Sequence, residues 1–193
     1  IPFGVDPAEH DRPLPGGRTV FFHLGSMDWE PNLEGVRWLV AEVWPRVIAR
    51  HPEARLHLAG NRMPDDLLHL DLPGLQVKGR VKSAEQYIAD RHVMVVPLHS
   101  GGGMRVKIIE GMAMGRCVIS TTIGAEGISV TDGQDILLAD TAAAFARQMA
   151  RALDEPGLVA TIGANARATI VGHYSDARII HDLVGFLRSL KRR

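Results

Sequence analysis

The sequence predicts a doubly wound α/β domain: a mainly parallel six-stranded sheet followed by a helical C-terminal segment. Two observations carry this. Short runs rich in Val, Ile, Leu and Phe alternate with stretches of helical periodicity, and most of these runs are apolar at consecutive positions, as strands are when helices cover both faces of a sheet. The 193 residues suffice for one well-filled core and fall near the upper end of a single α/β domain.

The chain opens with Ile1-Pro2-Phe3-Gly4-Val5-Asp6-Pro7, a Pro- and Gly-containing segment without an initiating Met. Residues 1–13 read as the remnant of an interdomain linker and residues 14–193 as the domain, so the expectation is a piece of a longer protein. Thr19 to Leu24 is β-branched and aromatic, closes on Gly25, and predicts a first strand. Asn32 reads as the N-cap of a helix whose apolar positions Val36, Leu39, Val40, Val43, Val47 and Ile48 run up to His51-Pro52, with Pro45 bending or breaking it. Arg55–Gly60 and Leu75–Lys78 alternate as second and third strands. Ser83 and Gln86 stand at capping-box spacing and start a helix to about Asp90. His92–Pro97 is the fourth strand, Cys117–Thr121 the fifth and Ile136–Leu138 the sixth. Three helices close the chain, at Thr141–Leu153, Leu158 to about Ile170, and Ser175–Leu190. The terminal Lys191-Arg192-Arg193 reads as a solvated basic tip.

Composition excludes several functions. Lys plus Arg and Asp plus Glu balance at 22 each, so no overall field recruits nucleic acid or an anionic surface, and any cationic chemistry is local. The single cysteine, Cys117, rules out an internal disulfide and fits a reducing, cytoplasmic setting. No apolar run reaches the roughly 18–20 residues a membrane helix needs, so the chain reads as soluble. The nine histidines show no ligand-type clustering, so neither a metal nor another cofactor is expected.

The most informative stretch is Gly101-Gly102-Gly103-Met104-Arg105-Val106-Lys107-Ile108-Ile109-Glu110, between the fourth strand and a helix. Glycines let backbone approach a ligand, and the following helix points its unpaired N–H groups and positive dipole end at an anion. Arg105 and Lys107 add charge. Glu110 follows about one and a half turns into the helix, where it can receive hydroxyls. Cations for a diphosphate and a carboxylate for a sugar diol suggest a nucleotide. The loop lacks the third small residue of a dinucleotide fingerprint and the Gly-Lys-Ser/Thr of a Walker loop, and the chain has no Gly-x-Ser-x-Gly elbow.

Gly102–Gly115, continued through Cys117–Gly127, resembles the donor-binding half of the group 1 glycosyltransferases, family GT4, whose fold is GT-B. Ile1–Asp6 is similar to the hinge segment before that half, and Gly25–Asn32 to the loop after its first strand. Leu58-Ala59-Gly60, Val77–Val81 and Val95–Leu98 follow in the expected order, so the resemblance covers nearly the whole chain. It implies one Rossmann-like half of a GT-B enzyme. The parent would be a retaining hexosyltransferase-type enzyme moving a sugar from a UDP- or GDP-sugar to a hydroxyl acceptor. The N-terminal acceptor domain would be the partner of this half, and the full-length protein could associate peripherally with a membrane. No catalytic residue is assigned to this segment. A GT-B sugar-nucleotide epimerase and a non-catalytic nucleotide-binding module are the alternatives.

By the same resemblance Glu110 ends the family's Glu-x7-Glu motif and binds the ribose. Gly102 stands where the first glutamate is expected, Ser26 where many members carry a diphosphate-binding arginine, and Asn32 or its neighbours where a lysine is common. The implied diphosphate cations are then Arg105 and Lys107, with the backbone of Gly101, Gly102, Gly103 and Met104 forming the loop and Gly25 and Ser26 the first-strand turn. Arg105 has a second reading as a solvated side chain at the helix start, and Lys107 as one that snorkels off the apolar face. Arg80 and Val81 fall in the segment that reads the base. Glu126 either faces the site or caps its own turn, and Trp29 either lines an acceptor cleft or packs against another domain.

Overall fold

The computed structural model describes residues 3–190, apart from the side chain of Ser189; Ile1, Pro2 and the basic tip at 191–193 lie outside the described residues. Six strands form one parallel sheet: β1 (Val20–Leu24), β2 (Arg55–Ala59), β3 (Leu75–Gly79), β4 (Val93–Val96), β5 (Cys117–Ser120) and β6 (Leu137–Leu138). Their order is β3-β2-β1-β4-β5-β6, the doubly wound arrangement expected from the alternation.

Consecutive side chains on a strand point to opposite faces, and two cores result. Phe21, Leu56, Leu58, Val95 and Ile119 face one layer. It is made by α1 (Glu30–Trp38), a π-helical turn (Leu39–Val43), α2 (Trp44–Ile48) and α6 (Ala142–Asp154). Phe22, Met94, Val96 and Val118 face the other layer, made by α4 (Ala84–Ala89), α5 (Val106–Ala113) and α7 (Leu158–His173). Burying each such side chain contributes about 1.5–3 kcal/mol. A short α3 (Asp65–Leu68) precedes β3, and α8 (Asp176–Leu190) ends the described chain. Ser83 caps α4 as its spacing predicts, its hydroxyl accepting from the Gln86 amide at 3.1 Å.

The first helix departs from its sequence reading. It starts at Glu30 with Trp29 in the N-cap position and Pro31 in its first turn, so Asn32 lies inside it and does not cap it. Pro45 is accommodated by the wide turn before it: the Trp44 N–H reaches back to the Leu39 carbonyl, and the chain needs no donor from the proline nitrogen.

The leader lies along the domain. Val5 is buried and pairs with Ser175. Arg116 donates to the carbonyls of Arg12 and Pro13, both at 2.8 Å. Arg167 donates to those of Pro7 at 2.9 Å, His10 at 3.2 Å and Ala113.

Candidate functional site

The crevice opens where the winding reverses, beyond the carboxyl ends of β1 and β4. The ladder between these strands is short, running over Phe21↔Val93 and Phe22↔Met94. The imidazole of His23 is fully buried beyond the last of these pairs and links β1 to β4. Its Nδ1 lies 2.9 Å from the Val95 carbonyl; a carbonyl can only accept, so Nδ1 carries the proton. Its Nε2 is buried and has no partner. Burial, helped by the Lys107 charge, pushes its pKa down to about 3.

The glycine loop connects β4 to α5 across this opening. Gly101 and Gly103 take positive φ values of 94° and 86°, and Arg105 occupies the N-cap position of α5. The Arg105 side chain is not solvated, contrary to one of its two readings. It is 7% exposed, its Nη1 donates to the carbonyls of Gly102 and Gly103 at 2.6 Å each, and its guanidinium carbon lies 5.0 Å from the ring centroid of Trp29. Nε and Nη2 are buried without partners. Trp29 thus holds a cation of the loop, a role its sequence reading missed.

Lys107 does not snorkel outward either. Its Nζ donates to the Leu24 carbonyl at 3.2 Å and to Asn32 Oδ1 at 2.7 Å. Burial, then the neighbouring Arg105 charge, lowers its pKa to about 7. Asn32 is 5% exposed and donates its amide hydrogen to the Ser26 carbonyl at 2.9 Å. The first-strand loop and α5 are therefore tied together through one amide. Glu110, three residues beyond Lys107, is partly buried, and burial raises its pKa against a smaller opposing effect of His10.

Gly25, Ser26 and the stretch Gly101–Lys107 converge at this point. Arg80 and Val81 connect less directly: they follow Gly79, whose carbonyl accepts from the Gly60 amide at 2.8 Å, and Gly60 in turn lies against the Gly25 backbone. Glu126 is exposed and lines, with Gly101, Thr122, Ile123 and Gly127, a cavity of about 620 Å³ on the β5 side of the glycine loop. Met104 packs against Gly127 across that boundary. Among the described residues no group of three or more His, Cys, Asp or Glu side chains assembles as metal ligands, and no helix is long and apolar enough to cross a membrane.

Residues 18–155 match the family model described as "Glycosyl transferases group 1". The chain belongs to the group 1 glycosyltransferases. A curated relative of this family member, an uncharacterized 44.6 kDa protein of the cps region of Klebsiella pneumoniae, is 24% identical over 169 residues. The match takes in 83% of this chain and 44% of that protein, so the chain spans less than half the relative's length. Among solved structures, sucrose-phosphate synthase of Thermosynechococcus elongatus superposes with a TM-score of 0.77 at 23% identity, over 100% of this chain and 52% of that one. Anabaena Alr3699/HepE, solved with UDP and glucose, gives 0.73 at 15% identity, over 96% and 55%. At these identities the structures establish the fold: a Rossmann-like half of a GT-B glycosyltransferase.

Proposed function

We propose that the chain is the donor-binding half of a retaining glycosyltransferase that moves a sugar from a UDP- or GDP-sugar to a hydroxyl acceptor. The observation that carries this reading is the partly buried Lys107 ammonium, held by Leu24 and Asn32 in the crevice at the N-terminus of α5. Partial burial beside Arg105 works against the protonated form, whose pKa is lowered to about 7, and a bound anion would restore it by offsetting the desolvation. In this reading Lys107, the unpartnered N–H groups of Arg105 and the first N–H groups of α5 receive the diphosphate. Glu110 receives the ribose hydroxyls, and the backbone after Gly79 borders the base.

Sugar transfer leaves extra negative charge on the departing nucleoside diphosphate. Preorganised cations and helix N–H groups stabilise that charge without reorganising, which is the contribution this half makes to the reaction. Acceptor binding, and the groups that act on the acceptor hydroxyl, belong in this reading to an N-terminal half. The relatives' lengths support that division, as does the apolar row Ile180, Val184, Leu187 and Leu190 left exposed on α8. The UDP and glucose held by HepE support the donor class.

Calorimetry with UDP, GDP and ADP tests the proposal. Saturable binding of one of them is expected, together with little or no sugar transfer by the isolated chain; failure of all three to bind overturns it. A non-catalytic nucleotide-binding module is favoured by one observation, Gly102 at the first motif position, where a Cβ would meet nothing within 4 Å. Nucleotide binding without transfer or donor hydrolysis by the full-length parent would select that reading.

A further inference from the structure

Lys107 is rooted on α5, in the layer on one face of the sheet, but its ammonium ends against α1 in the layer on the other face. Asn32 receives it there at 2.7 Å. The orientation of the Asn32 amide is dictated by its surroundings. The Ser26 carbonyl, 2.9 Å away, can only accept, so the NH2 end faces Ser26 and the oxygen faces Lys107. Gly25 closes over the same amide, since a Cβ at that position would lie 2.7 Å from Nδ2 and 2.9 Å from Cγ.

The chemistry of the acceptor matters. A carboxylate in this place would hold the ammonium equally well but would neutralise it. The amide holds it and leaves the charge in place. The other charged or titratable groups around Lys107 are Arg105 in the loop, which opposes its protonation, and His23 on β1, neutral through burial. On α1, Glu34 is engaged by the Ser100 hydroxyl at 3.0 Å, and on α5 Glu110 lies one turn away. Among the described residues no carboxylate pairs with Lys107.

We propose that Asn32 is the positioning residue of the donor site: its amide oxygen aims the Lys107 ammonium across the crevice between β1 and β4 while leaving that charge free for the donor diphosphate. The inference rests on the donor-binding reading above for the identity of the anion, and on geometry alone for the role of Asn32. It makes donor affinity fall as pH rises through neutrality, because Lys107 loses its proton there, and an anion that binds must raise the lysine's pKa in return.

The test compares wild type with Asn32→Asp and Asn32→Ala, using two readouts. One is the titration of the Lys107 side chain in the ligand-free protein, followed by NMR of ε-carbon-labelled lysine and assigned with Lys107→Arg. The other is calorimetry of UDP-glucose and GDP-mannose, whose diphosphate diesters and bases do not titrate near neutrality, at about pH 6 and about pH 8. In wild type Lys107 should titrate near 7, with tighter binding at the lower pH. Asn32→Asp should move the titration up by at least about one unit and weaken donor binding at the lower pH about tenfold. Asn32→Ala should weaken binding without raising the titration. An Asn32→Asp protein with the wild-type Lys107 titration overturns the role of Asn32, whatever the ligand data show. If the titration moves as expected but wild type binds neither donor, the diphosphate assignment falls and the positioning of Lys107 stands. Asn32→Ala, which introduces no charge, decides the affinity arm if Asn32→Asp does not fold.

Discussion

Gly60 lies so close to Gly25 that a Cβ on Gly60 would stand 1.6 Å from the Gly25 carbonyl oxygen, and its φ is +156°. The loop ends of β1 and β2 are therefore packed backbone to backbone. Gly60→Ala should cost at least about 3 kcal/mol of stability, from collision and backbone strain together. Gly102 is the opposite case: its surroundings are open and its φ is ordinary. Gly102→Glu should fold with stability within about 0.5 kcal/mol of wild type. Urea unfolding of both variants checks the contrast, and equal losses would refute the loop geometry.

Glu110 reaches the donor as an ionised acceptor in the proposed site. Glu110→Ala should weaken nucleotide binding by about 1.5–3 kcal/mol, the range for hydrogen bonds to a charged group, with an unchanged circular dichroism spectrum. Its pKa is raised by burial, so its contribution is present at high pH and is lost as pH falls, earlier than for an ordinary carboxylate. Lys107 acts in the other sense, losing charge as pH rises past about 7. Wild-type affinity should peak between the two, and Glu110→Ala should remove the acid limb alone.

His23 stays neutral in the folded protein down to about pH 3, whereas in the unfolded chain it takes up a proton near its ordinary value of about 6.5. The depressed folded pKa makes its contribution complete above the unfolded value and lost progressively as pH falls from there. The slope approaches about 1.4 kcal/mol per pH unit for one proton. His57, lowered to about 4 chiefly by burial and then by Arg91, Lys78 and Arg55, adds in the same direction, discounted for its partial exposure. His23→Asn does not titrate and keeps an amide N–H near the position from which Nδ1 donates to the Val95 carbonyl. Chemical unfolding between about pH 6 and pH 4 should show a shallower loss for it than for wild type.

Arg167 holds the leader through the carbonyls of Pro7 and His10 and joins it to Ala113 at the end of α5. Arg167→Met should lose about 2–4 kcal/mol in charge-assisted hydrogen bonds. A glutamate-specific protease should then cut after the exposed Glu9, between the two carbonyls that Arg167 holds, while the sheet remains intact. Wild-type resistance at Glu9 in the variant would show that the leader is held by other contacts.

Much of this architecture is legible in the sequence because buried parallel strands read as short apolar runs. Val93–Val96 and Cys117–Ser120, fully buried, need no partner to be recognised. The cluster Arg105, Lys107 and Glu110 is legible for a different reason: one loop and one helix carry it. The link from Lys107 to Asn32 crosses 75 positions and leaves no local pattern. An asparagine just before an apolar helix looks like a cap, and only the fold reveals that its amide is used twice. The inward turn of Arg105 onto its own loop and the leader's arginine clasps are hidden for a related reason. Both use backbone carbonyls as acceptors, which every residue supplies and no residue type announces.

The two-pair register of β1 with β4 divides the sheet along its centre into a half built from Val20–Gly79 and a half built from Val93–Leu138, each contiguous in sequence. The Lys107–Asn32 contact is a rivet driven through that seam from one half to the other. In the proposed reading a donor filling the crevice would touch both halves, and so would bridge two sequence-separate lobes that shared hydrophobic cores already join from the faces of the sheet.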